Sequence, residues 1–263
     1  MIRAALPLLA LALAAPALAA GPEAASDRAA VALTAGWSRP DGGRTAGLTF
    51  RLAPGWKTYW RMPGDSGVAP AFDWSGSENL AAVEVLWPAP KAFDSFGMLT
   101  LGYGGEVTLP VVLTPEDPAA PVRLRLSLFY GVCADICVPE TAELDLDIAP
   151  DAAAGEGPIR AALAALPAAL DPAAVVRCTL AGAGDARRFE AVVALPEGAA
   201  PTVAVVEGPP DAWFMPPVLA VSAGRAEVSA PLGAGAPAWI DRAHLRLTLV
   251  GPEGALELVG CGH

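Results

Sequence analysis

Two stretches near the middle of the chain dictate most of what can surround them. In "PVRLRLSLFY" (121–130), Leu124, Leu126, Leu128 and Tyr130 alternate with Arg123, Arg125 and Ser127. In "AELDLDIAP" (142–150), Leu144, Leu146 and Ile148 alternate with Glu143, Asp145 and Asp147. A repeat of two is the repeat of a β-strand with one face buried and one face wet. Paired antiparallel, the two runs put their apolar rows inward and set Arg123 and Arg125 across from the acidic row, which fixes their register.

The segment that joins them is "GVCADICVPE" (131–140), which holds two of the four cysteines in 263 residues. The spacing predicts a hairpin in which Cys133 and Cys137 flank a short loop, Ala134-Asp135-Ile136. Facing residues of antiparallel strands lie ~4.5–5.5 Å apart at Cα, inside the range that a disulfide spans. A bridge over so short a loop removes little chain entropy, so stability alone is a weak reason for it. Counted from Leu124 and back from Leu144, both cysteines fall on the outward phase, and both sulfurs are expected to be accessible. Accessible, adjacent thiols are what thiol–disulfide exchange uses, one attacking and the other resolving the mixed disulfide. An ordinary structural disulfide of an exported protein fits the same spacing. Asp135 either stabilises the turn or raises the thiol pKa by its charge.

The period of two extends over most of residues 30–148. In "TAGLTFRLAPGWKTYW" (45–60), Leu48, Phe50 and Leu52 share a face before a Pro54-Gly55 turn and an aromatic strand. Trp56, Trp60, Trp74 and Trp87 read as core or strand-face residues. Residues 149–172 lose the alternation and become Ala-, Gly- and Pro-rich, with room for a short helix near Pro158. Strand-like runs then resume at Val175–Leu180, Phe189–Leu195, Thr202–Val206, Val218–Val221, Ala226–Ala230, Leu245–Val250 and Ala255–Val259. The expected fold is all-β: one sandwich over 21–150, a linker over 151–172 and a second sandwich over 173–263.

Residues 1–20 have one cation, Arg3, an apolar stretch from Ala4 and small residues ending Ala17-Leu18-Ala19, the layout of a secretory signal peptide. The apolar stretch is shorter than the ~20 residues of a membrane span. An exported chain, cleaved near Ala20 and not inserted in a membrane, is expected. Loss of Arg3 takes the formal charge from −11 to −12. So acidic a chain, lacking a basic stripe, is a poor partner for nucleic acid. "GDSG" (64–67) is the nucleophile motif of some serine proteases, but His244 and His263 are the only histidines and both lie far downstream, which argues against a Ser-His-Asp triad. Cys178 and Cys261, near the start and end of the second sandwich, suit a structural disulfide closing a long loop. Unbridged, Cys261-Gly262-His263 would be a tail able to bind metal.

Three segments in order carry a family resemblance: "YGVCADICVPE" (130–140), "PGWKTYWRMPGDSGVAP" (54–70) and "WPAPKAFDSFGMLTLGYGGEVTLPV" (87–111). The first resembles the active-site stretch of the N-terminal periplasmic domain of the DsbD family, and the other two resemble its form in suppressor-for-copper-sensitivity protein B. The resemblance covers roughly residues 30–150 and, weakly, the second sandwich, but the cysteine spacing is shorter than in DsbD itself. It implies immunoglobulin-like sandwiches and a protein-disulfide reductase module with catalytic Cys133 and Cys137, Cys137 forming mixed disulfides and Cys133 resolving them. It further implies an aromatic cap, supplied by Phe93 or Phe96, with Tyr59 at a nearby aromatic position.

Read this way, a membrane thiol reductase is the expected electron donor, because the chain shows neither a membrane electron-transfer segment nor a thioredoxin-like domain. Periplasmic disulfide-containing or thioredoxin-like proteins are the expected acceptors, among them those of cytochrome c maturation. No cofactor is expected. Two other readings stand beside it: a copper-tolerance protein holding Cu(I) at Cys133 and Cys137 with Met98, since soft thiolates suit that ion, and a non-catalytic envelope-binding module with both disulfides structural.

Overall fold

In the computed structural model, which describes residues 23–95, 97–153 and 156–261, the alternating runs are strands. The first part of the chain forms β1 (Glu23–Ala25), β2 (Ala29–Ser38), β3 (Arg44–Leu52), β4 (Lys57–Gly64), β5 (Ala71–Asp73), β6 (Ala82–Val85), β7 (Lys91–Ser95), β8 (Met98–Gly104), β9 (Glu106–Thr114), β10 (Val122–Cys133) and β11 (Cys137–Ile148). One sheet runs β1-β2-β3-β9-β6 and the other β11-β10-β4-β8-β7, with β5 also on β10. Their inner faces enclose a core that includes Leu33, Leu48, Phe50, Trp60, Leu124 and Leu126, each no more than 1% exposed. Trp56, Trp74 and Trp87 pack against its margin.

The β10–β11 ladder has the register that its side chains dictate. Leu124 faces Leu146 and Leu126 faces Leu144 on the buried side, while Arg123 faces Asp147, Arg125 faces Asp145 and Ser127 faces Glu143 outside. Ser127 Oγ donates to Glu143 at 2.7 Å, and Arg125 pairs with Asp145. Exposed ion pairs contribute only ~0–1 kcal/mol each. Burial of a leucine contributes about 1.5–3 kcal/mol, so the apolar rows set the register and the charges agree with it.

The Ala/Pro-rich stretch is more closely packed than a plain linker. It contains α1 (Glu156–Ala164), which lies against β2, β3 and β9 of the first sandwich. Ile159 is fully buried there, over Gly36 and Gly47. A Cβ on Gly47 would come within 2.9 Å of the Ile159 side chain, so the two glycines make the seat for this helix. The Arg160 guanidinium sits 4.5 Å over the Trp37 ring.

Beyond α1 come β12 (Ala168–Ala169), β13 (Val175–Ala181), β14 (Arg188–Ala194), β15 (Val203–Glu207), β16 (Val218–Ser222), β17 (Arg225–Pro231), β18 (Arg246–Gly251) and β19 (Gly254–Val259). They form the sheets β12-β19-β18-β15 and β13-β14-β17-β16, antiparallel except for the short β12–β19 pair. Phe189, Val193, Leu247 and Leu249 lie in the core between them. The fold is thus all-β, a pair of sandwiches with one short helix between. The leader expected over 1–20 lies outside the described residues. Among the described residues, no helix is long and apolar enough to cross a membrane.

The two sandwiches meet through Val203 and Val205 of β15, which pack on the first core. Beside them the Arg61 guanidinium of β4 donates to both Glu207 carboxylate oxygens, at 3.0 and 2.9 Å, and to Glu257 at 2.6 Å. Arg246 donates to the other Glu257 oxygen at 2.8 Å. The Arg61, Glu207 and Glu257 side chains are only 15–17% exposed, so water competes weakly for these bonds. Arg61→Ala leaves Glu207 desolvated without its cation. The expected cost in chemical denaturation is about 1.5–3 kcal/mol, the range for hydrogen bonds to charged groups; a loss below about 0.5 kcal/mol, as at an exposed pair, would contradict this role.

Candidate functional site

Because β10 and β11 pair without a slip from Val122–Ile148 to their tip, Cys133 must face Cys137. The two form a disulfide with a Cα separation of 4.1 Å. The loop between them is closed by the Ala134 N–H donating to the Ile136 carbonyl at 3.1 Å. Asp135 is exposed at its tip beside Ile136, which is 66% exposed.

The two sulfurs do not have equal access, in contrast to the expectation from strand phase. Cys137 is exposed, whereas Cys133 is 7% exposed. The reason is strand order. β11 is the edge of its sheet, whereas β10 is flanked on its other side by β4, with Lys57 opposite Cys133. Phase decides which face a side chain takes, and only the neighbouring strand decides whether that face is covered.

Tyr59 provides the second asymmetry. Its ring, 2% exposed, lies across Gly131 and beneath Gly67. A Cβ at Gly67 would sit 2.6 Å from the ring, so a side chain there would displace it, and one at Gly131 would sit 3.0 Å away, a tight contact on the other side. The phenol oxygen is 3.2 Å from Cys137 Sγ. A disulfide sulfur has no proton to give, so the phenol donates. Burial pushes the Tyr59 pKa up, which keeps it a neutral donor at physiological pH.

Of the two cap candidates, Phe93 is half-buried on β7, with Lys57 Nζ 5.1 Å over its ring. It is therefore one lysine side chain away from the strand position opposite Cys133. Phe96 lies outside the described residues. Partly exposed apolar side chains, Val68, Met98 and Phe129, belong to the same sheet or to the loop that covers Tyr59. Cys178 and Cys261 are bridged in the second sandwich, with Cα atoms 5.3 Å apart and both residues buried.

Sequence reasoning did not single out Lys57, Gly67, Val68 or Gly131. Gly131 had a signal: a glycine inside an alternating strand marks close approach by another group. The others are brought in by β4 and its following loop, some 70 residues earlier in the chain.

Residues 23–149 match the family model described as thiol:disulfide interchange protein DsbD, N-terminal. Among solved structures, the N-terminal periplasmic domain of ScsB from Proteus mirabilis is similar at 24% identity with a TM-score of 0.66, over 90% of this chain and 95% of that one. The reduced DsbD N-terminal domain from Neisseria meningitidis aligns at 20% identity, with a TM-score of 0.26, over 53% of this chain and 92% of that one. The first of these likenesses is one of fold. No curated protein matches the chain.

The Tyr59 hydroxyl faces the Cys137 sulfur in the disulfide form; if the contact persists on reduction, a donor to the charged form favours the thiolate. Tyr59→Phe, which removes that donor, is expected to raise the Cys137 thiol pKa. The pH dependence of Cys137 alkylation in the reduced protein reads this. An unchanged profile would show that the contact does not reach the thiolate.

Proposed function

Because residues 23–149 match the family model of DsbD N-terminal domains, we propose that this protein is a periplasmic protein-disulfide reductase module that exchanges electrons through Cys133 and Cys137. The supporting observation is the inequality of the two sulfurs: Cys137 exposed under the Tyr59 hydroxyl, Cys133 covered by β4. Exchange needs one thiol that a partner can reach and one that acts only after the partner has bound.

In the reduced state the Cys137 thiolate attacks one sulfur of a partner's disulfide, and the partner's other sulfur leaves as a thiolate and takes up a proton. The Cys133 thiolate then attacks Cys137 Sγ, breaking the mixed disulfide. The partner departs with two thiols, and Cys133–Cys137 is left oxidised by two electrons. A membrane thiol reductase returns those electrons by the same exchange in reverse. Oxidised periplasmic proteins, thioredoxin-like ones included, accept them.

Phe93 supports the reading as part of the shield. Its ring lies under Lys57 Nζ, and Lys57 is the residue opposite Cys133; in this reading the two side chains together narrow the approach to Cys133 and leave Cys137 as the point of attack. Cys178 and Cys261 take no part in this scheme. Buried and joining the ends of the second sandwich, they stabilise it by constraining its unfolded chain.

The test is trapping. Reduced Cys133→Ser, mixed with an oxidised thioredoxin-like protein, is expected to accumulate a mixed disulfide through Cys137, visible by non-reducing electrophoresis and mass spectrometry. Reduced Cys137→Ser is expected to trap little. Equal trapping by both variants would overturn the assignment of roles, and absence of exchange in the unmodified protein would overturn the function.

A further inference from the structure

The second sandwich carries an open cleft of about 750 Å³ where the Cys178–Cys261 disulfide joins its two sheets. This volume lies within the ~300–1,000 Å³ of ligand sites. None of its residues belongs to the redox pair or its surroundings. Three apolar side chains stand around it in water: Trp239 at 76%, Val259 at 60% and Val176 at 58% exposure. Large apolar groups gathered at one exposed place mark an interaction site more often than an accident of composition.

Three local features hold that arrangement in place. β13 is an edge strand, and its ladder with β14 shifts between Val175 and Arg177. The extra residue of a bulge re-aims side chains, and here Val176 and Arg177 are both exposed while Cys178 is turned inward. Facing it, β19 has β12 alongside only at Leu256 and Glu257, so its end at Leu258 and Val259 has no strand beside it on that edge. Trp239 follows a segment clamped by one side chain: the Arg187 guanidinium donates to the carbonyls of Ala236, Pro237 and Ala238 at 2.6–3.1 Å. The indole is presented from an anchored loop.

Charge selects the occupant. On a chain of formal charge −11, Arg177 and Arg242 line this cleft. The carboxylate nearest Arg177 is Glu190, at 3.9 Å, and Arg242 has no carboxylate partner among the described residues. The one acidic lining residue, Asp241, is already engaged, accepting from the Ala243 N–H at 3.0 Å and facing His244 Nδ1 at 2.9 Å. We propose that the cleft is a docking site for an extended segment of a partner protein in which apolar and acidic side chains alternate. Strand edges on both walls suit an extended backbone. Trp239, Val176 and Val259 take the apolar side chains, and Arg177 and Arg242 take the carboxylates. The site would hold a partner by a contact separate from the sulfur chemistry.

The test uses the full chain with both disulfides formed and a fluorescein-labelled peptide alternating leucine with glutamate, followed by fluorescence anisotropy. A second peptide has lysine in place of each glutamate. Saturable binding of the acidic peptide that weakens with added salt is expected, together with no binding of the basic one. Trp239→Ala and, separately, the pair Arg177→Ser and Arg242→Ser are each expected to weaken binding about tenfold, as for an interface anchor. Unchanged circular dichroism of the variants guards against misfolding. The Cys133→Ser, Cys137→Ser double variant is expected to bind as the unmodified protein does, which separates this site from the redox reading. Equal binding of the two peptides, no saturable binding, or self-association that Trp239→Ala abolishes would each overturn the proposal, the last in favour of a second copy of this chain as occupant.

Discussion

Everything at the redox pair depends on the pairing of β10 with β11. A slip of one residue by β11 would turn Leu144 and Leu146 into water and bring Glu143 and Asp145 toward the core. Each misplaced leucine forfeits about 1.5–3 kcal/mol, far more than the surface ion pairs could return. The register is therefore locked by residues well away from the tip, and the tip inherits it. Cys133 faces Cys137 because leucines up to 13 residues away allow no other alignment.

That lock explains proximity but not the difference between the sulfurs, which comes from the sheet around the hairpin. β4 covers one flank of β10 and leaves β11 as an edge, so one cysteine is sheltered and its partner is open. The same strand delivers Tyr59, whose ring packs closely against Gly67 and Gly131. β4 also carries Arg61, which ties the first sandwich to Glu207 and Glu257 of the second. One strand thus shields the inner sulfur, places a donor at the outer one and fixes the neighbouring sandwich. The strand β7, bearing Phe93, lies close to β18 of that neighbour.

What the sequence made legible was whatever depends on local pattern. The β10–β11 register followed from alternation, and the seven runs of the second sandwich correspond to β13 through β19 with ends shifted by no more than two residues. The resemblance to DsbD N-terminal domains was carried by three segments that lie within the residues the family model matches. Less legible was whatever depends on which strands become neighbours. Cys133 is on the predicted face yet covered, because β4 comes from a segment some 70 residues earlier. The helix near Pro158 was expected as part of a linker, but its docking on Gly36 and Gly47 needed those glycines to be seen as a seat. The cleft at Cys178–Cys261 left no mark on periodicity, since it arises from a bulge, a clamped loop and an unpaired strand end meeting in space.

The central claim is that the Cys133–Cys137 bond is made to be exchanged. Its reduction potential tests this most directly, measured by equilibration with glutathione buffers and mass-spectrometric thiol counting in a Cys178→Ser, Cys261→Ser background. A potential between about −180 and −270 mV, where exchange catalysts work, is the predicted result. A value below about −300 mV, typical of structural disulfides in secreted proteins, would contradict it and leave the hairpin bond a staple.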